Sequence, residues 1–361
     1  MRYRPVLGCV LALVFVLVLS QPSGAAEKLR VGKAVQQAFT FTLLDLGVER
    51  GFFARQGLDI EMAAFAGGSR LQQGMAADSI DIGLDTGPDL AFVAKGAPVK
   101  GVGAMAGPPL DTGILVRGDG PIRSVADLKD KKIGTSVVTA LMAWLMKELS
   151  RQQGWGPDGI GLVATGSPTA SLALVKTGQL DGMASDLGLA MQAEARGEGR
   201  VLLRFGDFIK EFHNYVIFAT DTLIAKNPQA VRGFLKAWYD TIAFARADKG
   251  ATVETVSRVL GFDRAIVDRL YDLQMPMYSA DGRFDAAALA ALSRSYVDVG
   301  TLDHEPDMAK LYTEEFLPAH SHVRHFKQQA RKFLACLSSS SAWPPLGTTG
   351  GTIMKRRLIM L

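Results

Sequence analysis

Short apolar segments alternate with amphipathic ones along the first part of the chain, which is the pattern of strands followed by helices. Residues 29–32, 58–62 and 80–83 are compact apolar or alternating runs and are predicted strands. Residues 41–50 and 67–77 lie between them and have the apolar spacing of helices. This order predicts an α/β lobe built on a largely parallel sheet.

A second run of the same kind follows. Residues 111–117, 132–134 and 161–164 are predicted strands, and residues 140–153 and 170–177 are predicted helices. We therefore expect a second α/β lobe.

The chain then becomes mainly helical. Residues 214–220 form an apolar, β-branched and aromatic run that predicts a strand returning to the first lobe. Asn227 as N-cap and Pro228 at the first helical position predict a long helix after it. Its buried stripe is predicted to consist of Val231, Phe234, Leu235, Trp238 and Ile242, and further helices are predicted at 251–260, 264–273, 285–299 and 307–316.

The two ends of the chain differ from its body. Arg2 and Arg4, an apolar run over residues 10–19 and small residues at 23–26 have the order of a secretory signal, so we expect export to the periplasm. The last forty or so residues contain no acids and are rich in Ser, Pro and Gly, which predicts disorder. The predicted organisation is a signal peptide at 1–26, lobe 1 at 27–112 and 214–319, lobe 2 at 113–213 and a tail at 320–361.

Charge and missing motifs exclude several classes of protein. The whole chain has a net charge of +4, but residues 27–319 carry five more acidic than basic residues, which argues against nucleic acid as a partner. The sequence contains no phosphate-binding loop, His-Glu-x-x-His, Gly-x-Ser-x-Gly or Cys-x-x-Cys. We therefore predict no metal site, no cofactor and no catalytic residues.

Small, amide and hydroxyl residues follow several predicted strands. In open α/β sheets such loops converge at the carboxyl ends of the strands, where helix N-termini bind polar or anionic groups. Alternatively, each Ser or Thr caps only its own helix, and Phe39 and Trp144 either stack on a flat ligand or belong to the core. The candidate ligand-binding residues are Gln36, Gln37, Phe39, Thr40, Gly68, Ser69, Asp85, Thr86, Ser136, Thr139 and Ser167.

Six segments, in order, resemble one known group of proteins. The segments are Val48-Glu-Arg-Gly-Phe-Phe53 with residues 57–60, then 81–83, 96–100, 124–134, Ala173-Leu174 with Gly178-Gln-Leu-Asp-Gly182, and 227–237. Together they resemble the extracytoplasmic solute-binding proteins of ABC importers, in the nitrate-, sulfonate- and taurine-binding group that includes the SsuA/THI5-like and NMT1-like domains. The resemblance covers residues 29–318.

The resemblance implies a type II periplasmic-binding fold, in which two α/β lobes joined by two crossing strands close on a ligand. The crossings are expected near residues 111–117 and 212–220. It adds Ser185 and Asp186 to the candidate ligand-binding residues. Residues 183–186 lack the aromatic-proline segment that many members carry there, so the identity of the ligand does not follow from the resemblance.

The implied function is the capture of a small solute, anionic or heteroaromatic, and its delivery to an ABC permease in the inner membrane. The protein is expected to be a monomer and not an enzyme. One alternative is an enzyme related to the pyrimidine synthases of the same domain, but those use a cysteine-rich iron site, and residues 10–335 of this chain contain no cysteine. The other alternative is a ligand sensor for a membrane receptor.

Overall fold

The computed structural model describes residues 26–319, apart from residues 37, 137, 139 and 140. Residues 1–25 of the predicted signal peptide, the predicted tail at 320–361 and the candidate residues Gln37 and Thr139 therefore lie outside the described residues. Among those that are described, no helix combines the length and apolarity needed to cross a membrane.

The first sheet contains five strands in the order β2-β1-β3-β10-β4. β1 pairs in parallel with β2 and β3, whereas β10 runs antiparallel to both β3 and β4. The strands are β1 (Glu27–Lys33), β2 (Leu58–Ala64), β3 (Ile82–Thr86), β4 (Val99–Ala106) and β10 (Tyr215–Thr220).

The second sheet has the order β7-β6-β8-β5-β9. β6 is parallel to β7 and β8, and β5 is antiparallel to β8 and β9. The strands are β5 (Thr112–Val116), β6 (Lys132–Thr135), β7 (Gly161–Ala164), β8 (Gly182–Asp186) and β9 (Arg200–Arg204).

The two sheets therefore share one topology. In each, the antiparallel fourth strand is the one that the chain enters after leaving the other sheet. The chain crosses from the first sheet to the second over residues 107–111 and returns over residues 205–214. This confirms the prediction of two α/β lobes joined by two crossings. We call the first sheet with its helices lobe 1, and the second sheet with its helices lobe 2.

Helices cover the sheets and extend lobe 1 after β10. The long helix predicted after Asn227 is confirmed. Asn227 Oδ1 accepts a hydrogen bond from the Ala230 N–H (3.1 Å), and the five side chains predicted for the buried stripe of the helix are all buried. The helices are α1 (Phe39–Glu49), α2 (Gly68–Ala76), α3 (Leu90–Ala94), α4 (Leu141–Gln152), α5 (Pro168–Lys176), α6 (Leu187–Ala195), α7 (Asp221–Lys226), α8 (Pro228–Ala247), α9 (Lys249–Leu260), α10 (Arg264–Gln274) and α11 (Ala286–Asp298).

The prediction of a helix at residues 307–316 is wrong. Only Met308–Lys310 forms a turn of 3-10 helix, after which the chain runs alongside β4. The Gly101 N–H donates to the Leu311 carbonyl (3.0 Å), and the Thr313 N–H donates to the Gly101 carbonyl (2.8 Å). This segment is extended because it satisfies backbone groups at the open edge of β4, which outweighs its local helical pattern.

The returning crossing passes very close to the end of β3. The Gly87 N–H donates to the Asn214 carbonyl (2.9 Å), and a Cβ on Gly87 would lie 1.9 Å from the His213 carbonyl oxygen. The fold therefore requires the absence of a side chain at position 87.

We expect Gly87→Ala to lower the free energy of unfolding by about 2 kcal/mol or more, because the backbone of the crossing must move to accommodate the methyl group. Gly233→Ala is the matched control, since Gly233 lies within α8 and its Cβ would make only ordinary contacts with Gln56 and Leu58. That change should raise stability by up to about 1 kcal/mol through helix propensity. Urea unfolding measures both, and equal stability of the two variants would contradict the close approach.

Candidate functional site

The carboxyl ends of the parallel strands in both sheets lie at the two crossings. In lobe 1, Thr86 at the end of β3 pairs with Tyr215 at the start of β10. In lobe 2, Asp186 at the end of β8 pairs with Thr112 at the start of β5. The loops that follow these strands therefore meet where the two lobes join, which is the place where open α/β sheets bind ligands. We call this region the junction.

Asp111, on the first crossing, is the center of a buried hydrogen-bond cluster. Its Oδ2 accepts hydrogen bonds from Thr40 Oγ1 (3.0 Å) on α1 and from the Tyr215 hydroxyl (2.6 Å) on β10. Its Oδ1 accepts a hydrogen bond from Asn214 Nδ2 (2.8 Å) on the second crossing. Burial raises the pKa of the Asp111 carboxyl, and the hydrogen bonds from Tyr215, Thr40 and Asn214 oppose that rise. One carboxyl group thus ties both crossings to the first helix of lobe 1.

Asp186 lies beside this cluster on the lobe 2 side. Its Oδ1 caps α6 by accepting hydrogen bonds from the Gly188 N–H (2.7 Å) and the Leu189 N–H (3.4 Å). Burial, and then the nearby charge of Asp111, raise the pKa of Asp186 from 3.8 to about 7 despite those hydrogen bonds. Asp186 retains some solvent exposure, unlike Asp111, so it is the member of this pair that a solute can reach.

A second carboxyl pair lies in lobe 1 at the start of α2. A Cβ on Gly68 would lie 2.4 Å from Asp89 Oδ2 and 2.5 Å from Asp85 Oδ1, so glycine is needed there. The Gln72 amide donates to Asp85 (2.9 Å), and the Thr86 hydroxyl donates to Asp89 (2.5 Å). Burial and the neighboring Asp89 charge raise the pKa of Asp85 well above its usual value.

The other candidate residues divide into accessible and internal ones. Gln36 and Ser69 are exposed and Ser136 is partly exposed, each in a loop or helix start after a strand. Phe39 and Ser185 are buried, and the Ser185 hydroxyl donates to the Asp186 carbonyl (3.1 Å). The Ser167 hydroxyl caps α5 by accepting from the Ala170 N–H (3.2 Å), which is the local role weighed as its alternative.

Sequence analysis missed five of the residues that build the junction, because only the folded chain shows that these polar residues come together. Asp111 was assigned to the start of a strand, although an isolated carboxylate between Leu110 and Thr112 at a predicted crossing is itself a signal. The missed residues are Gln72, Asp89, Asp111, Asn214 and Tyr215.

No described lysine or arginine neutralises the four carboxyl groups of the junction. The influences on the pKa values of Asp85, Asp89, Asp111 and Asp186 include burial, other carboxyl groups and hydrogen bonds, but no cation. Lys33, the cation at the end of β1, is buried and forms an ion pair with Asp45 (2.9 Å). Burial without a paired cation raises the pKa of all four carboxyl groups, which favours their neutral forms, so the junction lacks positive charge rather than carrying four full negative charges.

The two lobes also touch through α4 and α11. Trp144 Nε1 donates to Asp298 Oδ2 (3.1 Å), and Arg151 forms an ion pair with the same carboxylate (2.7 Å). The Trp144 ring stacks on Phe212 of the second crossing with ring centroids 4.6 Å apart. Trp144 is thus buried in the packing between the lobes, which agrees with the core alternative for this residue.

Comparison with known proteins identifies the family. The sequence profile described as NMT1/THI5 like matches residues 38–251, which is more than half of the chain. The chain belongs to the NMT1/THI5-like family. The match spans the strands and helices of both lobes, from α1 to the start of α9, and includes every described junction residue named above except Gln36.

Two relatives of this NMT1/THI5-like protein show how far sequence similarity extends. A Haemophilus influenzae relative is 30% identical over 122 residues, which cover 34% of this chain and 38% of that protein. The matched stretch is therefore less than two thirds of that relative's length. A 4-amino-5-hydroxymethyl-2-methylpyrimidine phosphate synthase of Saccharomyces cerevisiae is 24% identical over 291 residues, 75% of this chain and 82% of that enzyme.

Solved structures show the same fold at low identity. The periplasmic aliphatic sulphonate binding protein SsuA of Escherichia coli has a TM-score of 0.67 and 19% identity, covering 91% of this chain and 96% of that one. The ligand-binding component of an ABC-type import system from Staphylococcus aureus has a TM-score of 0.63 and 13% identity, covering 80% and 100%. The predicted type II periplasmic-binding fold is therefore confirmed.

The raised pKa of Asp186 predicts how stability depends on pH. The folded protein binds this proton more tightly than the unfolded chain, so the free energy of unfolding falls as pH rises from about 4 to about 7. Asp186→Asn keeps a capping side chain and removes the charge. At pH 7.5 the variant should therefore melt at a higher temperature than the wild type. Its free energy of unfolding should be larger by at most roughly 4 kcal/mol, and by less to the extent that solvent screens the carboxylate.

Thermal unfolding at pH 4 and pH 7.5 measures this difference. At pH 4 the two proteins should have nearly equal melting temperatures. Asp248→Asn is the control, because Asp248 caps α9 through the Ala251 N–H (2.9 Å) and is exposed. The assignment fails if Asp186→Asn is the less stable protein at pH 7.5, or if the two Asn variants respond alike.

Proposed function

We propose that this protein is the substrate-binding component of an ABC-type importer, which captures a small solute at the junction and delivers it to a membrane permease. One observation carries the proposal. The two lobes have the same sheet topology, are joined by two crossings, and meet at the carboxyl ends of their parallel strands. A solute that contacts both lobes favours the arrangement in which they are close together, so binding and hinge closure are coupled.

The contacts between the lobes support such closure. Trp144 and Arg151 of α4 share the Asp298 carboxylate of α11, and Arg269 of α10 pairs with Glu194 of α6 at 3.6 Å. Both ion pairs are partly exposed. Ion pairs of this kind contribute little stability each, so they do not by themselves hold the lobes together.

The periplasmic location is part of the same proposal. It is supported by the signal-like pattern of residues 1–26 and by the fold shared with periplasmic and import-system binding proteins. In that compartment the protein acts as a monomer, without a cofactor and without nucleic acid, and its partner is the permease of the inner membrane.

A catalytic role is the second candidate, because some relatives are named as pyrimidine phosphate synthases. The absence of cysteine from residues 10–335 argues against the iron site that the resemblance implies for those enzymes. We therefore favour binding without catalysis. Formation of a pyrimidine phosphate by the purified protein would reverse this preference.

A screen by thermal shift tests the proposal, with sulfonates, nitrate, pyrimidines, aromatic acids, amines and peptides as probes. A true ligand should raise the melting temperature and contract the protein in small-angle X-ray scattering. Stabilisation by any binder without contraction would contradict capture between the lobes.

Ser69 in lobe 1 and Ser136 in lobe 2 provide a mutational test of the same idea. Ser69→Ala with Ser136→Ala should weaken binding of the best probe by more than either change alone, by about tenfold, because each lobe loses one hydroxyl contact. The melting temperature of the free protein should stay nearly unchanged, since both side chains are at least partly exposed. Calorimetric titration measures the affinities, and wild-type affinity in the double variant would remove both residues from the site.

A further inference from the structure

The junction contains many hydrogen-bond acceptors and few available donors. The Asp111 carboxylate already uses the donors of Thr40, Asn214 and Tyr215. The side-chain oxygen Asn214 Oδ1 is buried and has no hydrogen-bond donor among the described residues. It belongs to the amide group whose nitrogen bonds Asp111, so this unpaired acceptor lies at the carboxyl cluster itself.

The lobe 1 carboxyl pair has the same character. Gln72 donates through its amide nitrogen to Asp85, while Gln72 Oε1 is buried with no donor among the residues that the structure describes. Each of the two carboxyl clusters therefore contains one buried amide oxygen without a donor among the described residues, and an unpaired buried polar atom is destabilising.

The start of α6 shows why an anion fits poorly on the lobe 2 side. The N–H groups that a helix N-terminus offers to an anion are those of Gly188 and Leu189, and both already bond the carboxylate of Asp186. A sulfonate or nitrate placed there would compete with a covalently attached carboxylate and would be repelled by it. The chain thus carries its own anion at this position.

We propose that the solute carries a positively charged N–H donor group, an ammonium or amidinium, that binds at Asp186 beside Asp111 and the Asn214 amide oxygen. This inference rests on the proposed function, since it names the class of solute that the junction captures. The cation supplies the charge that no described side chain supplies, and its N–H groups reach acceptors that otherwise remain unpaired. Asn214 is fully buried, so the solute reaches it when the lobes separate and is enclosed when they close.

The rest of the solute is apolar at least in part. Val35, after β1, and Val138, after β6, are exposed large hydrophobic residues with 39% and 43% of their surface accessible. They occupy equivalent loops in the two lobes, both at carboxyl edges. Exposed apolar side chains in the loops at these two carboxyl edges fit an organic cation better than an inorganic one.

Two pairs of probes matched in size test the charge of the solute. They are benzamidinium with benzenesulfonate, and butylammonium with butanesulfonate, titrated calorimetrically into the full-length protein. In each pair the cation should bind at least about tenfold more tightly than the sulfonate. Asp186→Asn should weaken cation binding by about tenfold or more. Asp119→Asn, which removes a lobe 2 carboxylate that is 82% exposed, should change it less than about twofold.

Three results would overturn the inference. They are tighter binding of either sulfonate than of its matched cation, an equal response of Asp186→Asn and Asp119→Asn, and no cation binding at millimolar concentration. Sulfonate binding with contraction in small-angle scattering would leave the proposed function standing and remove only the inference. Failure of every probe in the wider screen would remove both.

Discussion

The buried carboxylate of Asp111 determines how the two lobes are joined. It accepts hydrogen bonds from α1, from the second crossing and from the first residue of β10, although it lies on the first crossing itself. Both crossings are therefore fixed at one point, and the carboxyl edges of both sheets are brought to that point. A buried charge is destabilising unless it is fully hydrogen bonded, so these three donors are required by its position.

The same carboxylate influences the chemistry around it. Asp186, next to it in the second lobe, has a pKa raised to about 7 by burial and by the Asp111 charge. The start of α6 stabilises the Asp186 carboxylate through two N–H groups, which makes a negative group tolerable there without a cation. The backbone thus holds the Asp186 carboxylate in place, and no described cation is paired with it. This arrangement keeps the carboxylate available to bind a solute.

Much of the fold follows from the sequence because local patterns and packing agree there. The strand at 161–164 lies where it was predicted, and the buried stripe of α8 has the helical periodicity that its position requires. β4 was not predicted because its glycines Gly101 and Gly103 interrupt the apolar alternation, and the segment after residue 307 was misassigned because an open strand edge determines its conformation. Asp85 was identified from a strand end and Asp186 through the family resemblance, whereas Asp111 and Asn214 depend on contacts more than 70 residues apart in sequence.

The lack of a paired cation at the junction can be observed on a single group. Carbon-13 NMR of the side-chain carboxyl groups, assigned with Asp186→Asn, gives the titration midpoint of Asp186 in the free protein and in the presence of benzamidinium. The midpoint should lie near 7 in the free protein and fall when the cation binds, because the bound charge favours the ionised form. A midpoint near the ordinary value for aspartate, unchanged by the cation, would contradict a cation-binding junction.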